Sequence, residues 1–136
     1  MRRLVTEPEL AALGVSLGGA LQSGEVVWLS GELGAGKTTF VKALVRGLGS
    51  LVEATSPSYS LVHRYPGPRG PIYHVDCYRL RTPEQAADLD WEGLHRANAL
   101  LIEWPERAGP WALPPTRKIR LEHGADPDRR WLEVSG

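Results

Sequence analysis

The spacing of apolar residues changes period several times along the chain, and each change predicts an element. Leu10, Leu13, Leu17 and Leu21 recur at helical spacing. Thr6-Glu7-Pro8-Glu9 precedes them as a capping box, with a Thr N-cap, Pro near the first turn and Glu three residues after the Thr. Ser23-Gly24 stops this helix, and its leucines are those of a helix covering a sheet. Glu25 to Ser30, built around Val26-Val27-Trp28-Leu29, reads as a buried strand. Thr39-Phe40-Val41-Lys42-Ala43-Leu44-Val45 returns to helical period and breaks near Gly47-Leu48-Gly49.

Further along, Leu61 to Tyr65 and Ile72 to Asp76 read as strands joined by a turn rich in Pro and Gly, so an antiparallel hairpin is expected. Thr82-Pro83-Glu84-Gln85 repeats the N-cap, Pro and acid pattern and predicts a short helix through Ala86, Ala87 and Leu89, with Asp88, Asp90 and Glu92 on a solvated face. Ala99-Leu100-Leu101-Ile102 is a continuous apolar run, as a central strand requires. Gly109 to Pro115 is a stiff connector. Lys118 to Glu122 and Arg130 to Val134 alternate apolar and polar as half-buried strands do, and the polar turn from Gly124 to Asp128 makes them a hairpin closing one side of the sheet. The fold class is therefore α/β, with a mixed central sheet flanked by helices and antiparallel hairpins.

Composition narrows this picture. A length of 136 residues fits a single domain over 1–136. Sixteen basic and sixteen acidic residues cancel, which argues against a global positive field for non-specific nucleic-acid binding. Cys77 is alone, so an intrachain disulfide and a Cys-rich zinc site are excluded, and a reducing cytoplasm suits it. Arg2 and Arg3 are followed at once by Glu7 and Glu9 and no long apolar run occurs, so neither a signal peptide nor a membrane span is expected.

The chemistry centres on Gly31-Glu32-Leu33-Gly34-Ala35-Gly36-Lys37-Thr38-Thr39, which fits the phosphate-cradling pattern G-x-x-x-x-G-K-[ST] between a strand and a helix. Glycines without a Cβ let the loop curl with its amide groups inward, so the backbone from Glu32 to Thr39 would hold a nucleotide triphosphate. The helix N-terminus faces the same anion. Lys37 supplies a mobile positive charge for the β and γ phosphates, and the Thr38 hydroxyl is placed for Mg²⁺. Ala54 to Ser60 is rich in hydroxyls and reads as a plain loop on composition, yet in a phosphate-loop protein this is where a γ-phosphate sensor would sit, with Ser58 the hydroxyl singled out. Asp76 and Glu103 each end an apolar strand, where an open α/β sheet binds its ligands and where carboxylates reach a metal or its waters. Read alone, a strand-end Asp is more often a turn residue and the Glu a surface residue, but their convergence with Thr38 in one chain favours a shared site. Cys77 reads as a small buried apolar residue, and Tyr78 and Arg79 as either site or packing residues.

With these pieces placed, the chain resembles the bacterial TsaE family, formerly YjeE. The resemblance rests on the block from Gly31 to Phe40, on Ser56-Pro57-Ser58-Tyr59-Ser60-Leu61-Val62, on Tyr73-His74-Val75-Asp76-Cys77-Tyr78-Arg79-Leu80 and on Leu101-Ile102-Glu103-Trp104-Pro105-Glu106-Arg107. The resemblance implies a phosphate-loop ATPase that binds ATP and Mg²⁺, hydrolyses slowly, and docks on a TsaB–TsaD transferase complex making threonylcarbamoyladenosine in tRNA. It implies further that Lys37 contacts phosphates, that Thr38 and Glu103 hold Mg²⁺, and that Asp76 completes the metal shell or orients water. Ser56 to Ser58 would form a switch-like loop, Trp104 would sit by the nucleotide, and the start of the first helix around Thr6 and Glu7 would lie near the base. Two positions depart from the family: Ser58 stands where many relatives have Thr, and Asp90 near where relatives have Gly. Two other functions compete, a nucleotide-dependent docking module with incidental hydrolysis and a small-molecule phosphate-loop kinase. Against the kinase, no Arg-rich lid is evident and little chain remains for an acceptor pocket.

Overall fold

The computed structural model describes residues 1–32, 34–52 and 61–136. Strand β1 (Arg2–Val5) leads to helix α1 (Glu7–Ala20), strand β2 (Glu25–Gly31) and helix α2 (Lys37–Gly47). Strands β3 (Val62–Tyr65) and β4 (Ile72–Asp76) follow, then a 3-10 turn (Pro83–Ala86), helix α3 (Trp91–His95) and strand β5 (Ala99–Glu103). A second 3-10 segment (Pro105–Trp111) precedes strands β6 (Arg117–His123) and β7 (Arg130–Ser135).

The seven strands form one sheet in the order β1-β7-β6-β2-β5-β4-β3. Its middle, β6-β2-β5-β4, is parallel, and β7, β1 and β3 run antiparallel to their neighbours. The sheet is thus mixed, with the two expected hairpins. β5 is buried along its whole length, as its apolar run requires. One face carries Val27, Leu29, Ile72, Leu101, Ile119 and Leu121 beneath Leu10, Phe40 and Leu44 of the two long helices. The opposite face carries Val26, Val75, Leu100 and Ile102 against Leu80, Ala86, Leu94 and Ala108.

Helix α1 begins as its capping box dictates: the Thr6 side chain accepts from the Glu9 amide and the Glu9 carboxylate accepts from the Thr6 amide at 2.9 Å. Its leucines reach the core, but Gly14 and Gly18 are also buried and turn toward α2. A Cβ on Gly18 would collide with the Leu44 carbonyl oxygen and meet the Gly47 Cα at 3.0 Å, whereas one on Gly19 would find only the Gly47 oxygen at 3.8 Å. The two helices therefore pack backbone to backbone. Gly18→Leu is expected to cost at least about 1–3 kcal/mol through overpacking. Gly19→Ala should instead gain up to about 1 kcal/mol from helix propensity. Urea denaturation midpoints at constant m-value read both changes.

Three expectations need correction. β1 is an unexpected seventh strand: it lies outside β7, so the β6–β7 hairpin is flanked rather than forming the edge. The helix expected through Leu89 is only a 3-10 turn from Pro83 to Ala86, and the Thr82 side chain makes no capping bond. Gln85 instead accepts from the Arg81 amide at 2.7 Å, and the true helix starts later, where Asp90 Oδ1 accepts from the Gly93 amide at 3.1 Å. Asp90, the departure from the family pattern, is thus a helix cap. Finally, the connector from Gly109 is partly helical, being the end of the second 3-10 segment, with its kink at Gly109.

Candidate functional site

β2 ends at Gly31, where a Cβ would run into the Leu121 carbonyl of β6. Gly31 thus pairs with Leu121 of β6 in close backbone approach, which only glycine permits. The turn into α2 closes at Gly36, whose φ of 105° is left-handed and glycine-favoured, and a Cβ there would meet Leu10 Cδ2 at 2.9 Å and Arg130 Nη1 at 3.2 Å. Gly36 at the N-cap supplies no side-chain hydrogen bond, and no acid occupies the first turn of α2. The leading amide groups and positive dipole end of a helix so begun suit an anion.

Lys37 is buried and folded back on the loop: Nζ donates to the carbonyl oxygens of Gly31 at 2.6 Å and Glu32 at 2.8 Å. The ammonium also lies 4.5 Å from the centre of the Trp104 ring. Burial lowers the Lys37 pKa, opposed by the nearby charges of Glu103, Glu106, Asp76 and Glu32.

The acids come from β4 and β5. These strands are parallel and in a register that places Asp76 beside Glu103 at their carboxyl ends. Both side chains fall on the face that carries Ile72, Ala99 and Leu101, the face covered by α2. Asp76 Oδ1 accepts from the Tyr78 amide at 3.0 Å, and Glu103 Oε2 accepts from His74 Nε2 at 2.8 Å. Burial pushes the Asp76 pKa up, the charge of Glu103 adds to that, and the Tyr78 amide, His74 and Lys37 act against it. Cys77 next door has its thiol pushed up to about 12, chiefly by burial, and is an inert core residue as expected.

The raised Asp76 pKa has a sign. The folded chain holds this proton more tightly than the unfolded chain, so the contribution of Asp76 to stability falls as pH rises from the ordinary carboxylate range through the raised value. At neutral pH, without metal or nucleotide, Asp76→Asn is therefore expected to raise the melting temperature. Thermal denaturation in chelator at pH 7 checks it.

Trp104 follows Glu103 in a left-handed conformation, φ 55° and ψ 49°, which turns the chain sharply off β5. Its ring lies 5.1 Å from that of Tyr78, and the Arg107 guanidinium rests over both, 4.9 Å from Tyr78 and 5.2 Å from Trp104. Arg107 is fixed there by donating to the Tyr78 carbonyl at 2.6 Å.

Together these elements line a cleft of about 350 Å³. Of the residues singled out from the sequence, Gly34, Gly36, Lys37, Thr38, Thr39, Asp76, Glu103 and Trp104 all border it. Glu32 lines a neighbouring cavity of about 670 Å³ across the Trp104 wall, and the Ala35 side chain is buried in the core beneath the loop. Leu33, Ser58 and the rest of the loop from Ser56 to Ser60 lie outside the described residues. Tyr78, left open by the sequence, proves to be a cleft residue, and Arg130 is an addition. Arg130 also borders a smaller cavity with Thr6, Glu7 and Pro8, so the start of α1 adjoins one end of the site.

Among the described residues no cluster of three or more His, Cys, Asp or Glu could hold a metal by itself. The cleft offers two carboxylates and the Thr38 hydroxyl, a set that suits a Mg²⁺ drawing its remaining oxygens from phosphates and water. A buried Glu103 and a half-buried Asp76 that repel one another, beside a helix N-terminus, suit a magnesium nucleotide.

A family model for the threonylcarbamoyl adenosine biosynthesis protein TsaE matches residues 4–131. The chain belongs to the TsaE family. Among curated TsaE proteins, named for tRNA threonylcarbamoyladenosine biosynthesis, one from Nostoc is 42% identical over 100 residues, covering 70% of this chain and 61% of the relative. One from Treponema pallidum is 40% identical over 122 residues, covering 89% of this chain and 90% of the relative. One from Rickettsia conorii is 35% identical, covering 90% of this chain and 70% of the relative. Among solved structures, Bacillus subtilis YdiB superposes with a TM-score of 0.78 at 25% identity, covering 99% of this chain and 84% of that one. The mixed α/β sheet is thus shared beyond sequence similarity. As a TsaE protein the chain has its place in threonylcarbamoyladenosine biosynthesis, a tRNA modification. No helix among its described residues is long and apolar enough to cross a membrane.

Proposed function

We propose that this chain is a Mg²⁺-dependent ATPase, slow on its own, that acts in the cytoplasm as an accessory of tRNA threonylcarbamoylation by docking on TsaB- and TsaD-like proteins. It meets tRNA only through that complex. One observation carries the reading: a phosphate-type loop and two strand-end carboxylates, Asp76 and Glu103, share one cleft with Lys37 and Thr38.

The backbone from Glu32 to Thr39 and the N-terminus of α2 would cradle the phosphates. Lys37 exchanges its two loop carbonyls for phosphate oxygens, which it can do because its stem is flexible and its bonds are to the loop itself. Thr38, Asp76 and Glu103 would hold Mg²⁺, which supplies charge neutralisation on the phosphoryl oxygens. Either carboxylate can orient the attacking water, and Trp104 with Tyr78 walls the cleft against bulk solvent. Ser58 belongs to the same proposal as the γ-phosphate sensor.

The deciding experiment reconstitutes tRNA threonylcarbamoylation from purified components. Modification that needs both this chain and ATP, with turnover stimulated by the TsaB–TsaD pair, supports the proposal. Modification at the same level without the chain would overturn it. The docking-module reading is separated by a hydrolysis-dead variant: if such a variant still docks and supports modification, ATP binding alone suffices.

A further inference from the structure

Five residues with polar or charged side chains are buried among the described positions, and three of them, Lys37, His74 and Glu103, gather at the cleft. The mechanism above uses Lys37 and Glu103 but not His74. Resting on that mechanism, we infer that His74 is a positioning residue that fixes the Glu103 carboxylate for Mg²⁺-ATP hydrolysis.

Register places it there. His74 stands two residues before Asp76 on β4 and opposite Leu101 of β5, two residues before Glu103. All four therefore point to the same sheet face. From one step below the acids, the imidazole reaches up, and Nε2 lies 2.8 Å from Glu103 Oε2. A carboxylate only accepts, so Nε2 carries the hydrogen of this bond. It is the one hydrogen bond of the Glu103 carboxylate among the described residues. Oε2 is thereby committed to His74, and Oε1 is left for the cleft.

The arrangement is poor as a stabilising device. His74 and Glu103 have side-chain exposures of only 1% and 4%, and His74 Nδ1 is buried with no partner among the described residues. Replacing both members of such a pair by apolar side chains often matches it in stability, whereas removing His74 alone leaves the buried Glu103 carboxylate without its donor. Its benefit lies in what it prevents. Glu103 is the acid that acts most strongly on Lys37, so an untethered carboxylate has the ammonium as an alternative partner. The His74 hydrogen bond keeps the acid on the β4 side, beside Asp76.

The test compares His74→Leu, which keeps the bulk and loses the donor, with His74→Gln, whose amide nitrogen can stand where Nε2 stands. His74→Leu is expected to lower kcat for ATP about 10- to 100-fold, the usual loss when a residue supporting a ligand is removed. Its ATP affinity without Mg²⁺ should match the wild type at a temperature where the variant is folded, and its melting temperature should fall because the buried Glu103 carboxylate loses its donor. Calorimetric titration of Mg²⁺ into the complex with a non-hydrolysable ATP analogue should show a comparable weakening, about 10-fold or more. His74→Gln should restore most of both. Wild-type kcat and Mg²⁺ affinity in His74→Leu, measured below its melting transition, would overturn the inference, as would a His74→Gln as impaired as His74→Leu. A wild-type chain that hydrolyses no ATP, alone or with its partners, defeats the ATPase reading instead, and the Mg²⁺ titration then still decides the role of His74.

Discussion

Lys37→Ala is expected to abolish ATP binding at micromolar protein and, with it, any contribution to tRNA modification. The side chain gives the loop its only cationic group: Thr38 and Thr39 are neutral, Asp76 and Glu103 carry the opposite sign, and Arg130, the other cation bordering the cleft, comes from β7 and not from the loop. Losing a desolvated charge contact to phosphate costs about 2–5 kcal/mol, or roughly thirtyfold to several thousandfold in affinity. Lys37 also ties Gly31 and Glu32 to the start of α2 in the nucleotide-free protein, so Lys37→Ala removes a strut as well as a charge. Lys37→Met keeps the stem against Trp104 and separates the two effects. Calorimetry should find both variants without measurable affinity; wild-type affinity in Lys37→Met would remove the phosphate role from this residue.

The parts of the fold that were legible in the sequence are those whose cause is local. Thr6 and Glu9 sit three residues apart and cap each other wherever the helix goes. Ala99 to Ile102 reads as a central strand because nothing polar interrupts it, and burial on both faces is what a sheet interior demands. Asp76 and Glu103 were legible as strand-end acids for the same reason, since each terminates an apolar run at the edge where α/β sheets bind ligands. β1 was not legible: Arg2 and Arg3 give it no apolar pattern, three of its four residues are exposed, and pairing with β7 at the other end of the chain makes it a strand.

Thr82 shows the opposite failure. It carries the same local signal as Thr6, but the Gln85 side chain is taken by the Arg81 amide, and the reciprocal bond never forms. His74 and Arg130 share a third cause. His74 matters because β4 and β5 pair with Asp76 opposite Glu103, and Arg130 because β7 brings its first residue beside Gly36. Neither fact is written in any short window of sequence. Register between distant strands is tertiary information, and residues whose role depends on it look like ordinary alternating strand positions.

Glu103→Gln is expected to lower the rate of ATP hydrolysis about 100- to 1,000-fold, the usual effect of removing one preorganised electrostatic contact to the reacting group. Its ATP affinity should stay within a few-fold of wild type, because the loop, the N-terminus of α2 and Lys37 are untouched. The substitution is nearly isosteric, so what changes is charge: the new amide oxygen can still accept from His74 Nε2, leaving a neutral NH₂ where an anion had faced the cleft. A second consequence follows at Asp76. Glu103 contributes to the raised pKa of Asp76, so removing its charge should move that pKa downward and leave Asp76 more fully ionised at neutral pH. The variant should therefore keep some capacity for Mg²⁺ through Asp76 and Thr38 while losing turnover. Single-turnover kinetics with Mg²⁺-ATP, read beside calorimetric affinities, separates these effects. A wild-type rate would remove Glu103 from the hydrolytic site. A dead rate with full tRNA modification in the reconstituted system would keep Glu103 at the site and move the function from ATP turnover to ATP-dependent docking, because the variant would then be competent in everything except the step that needs its charge.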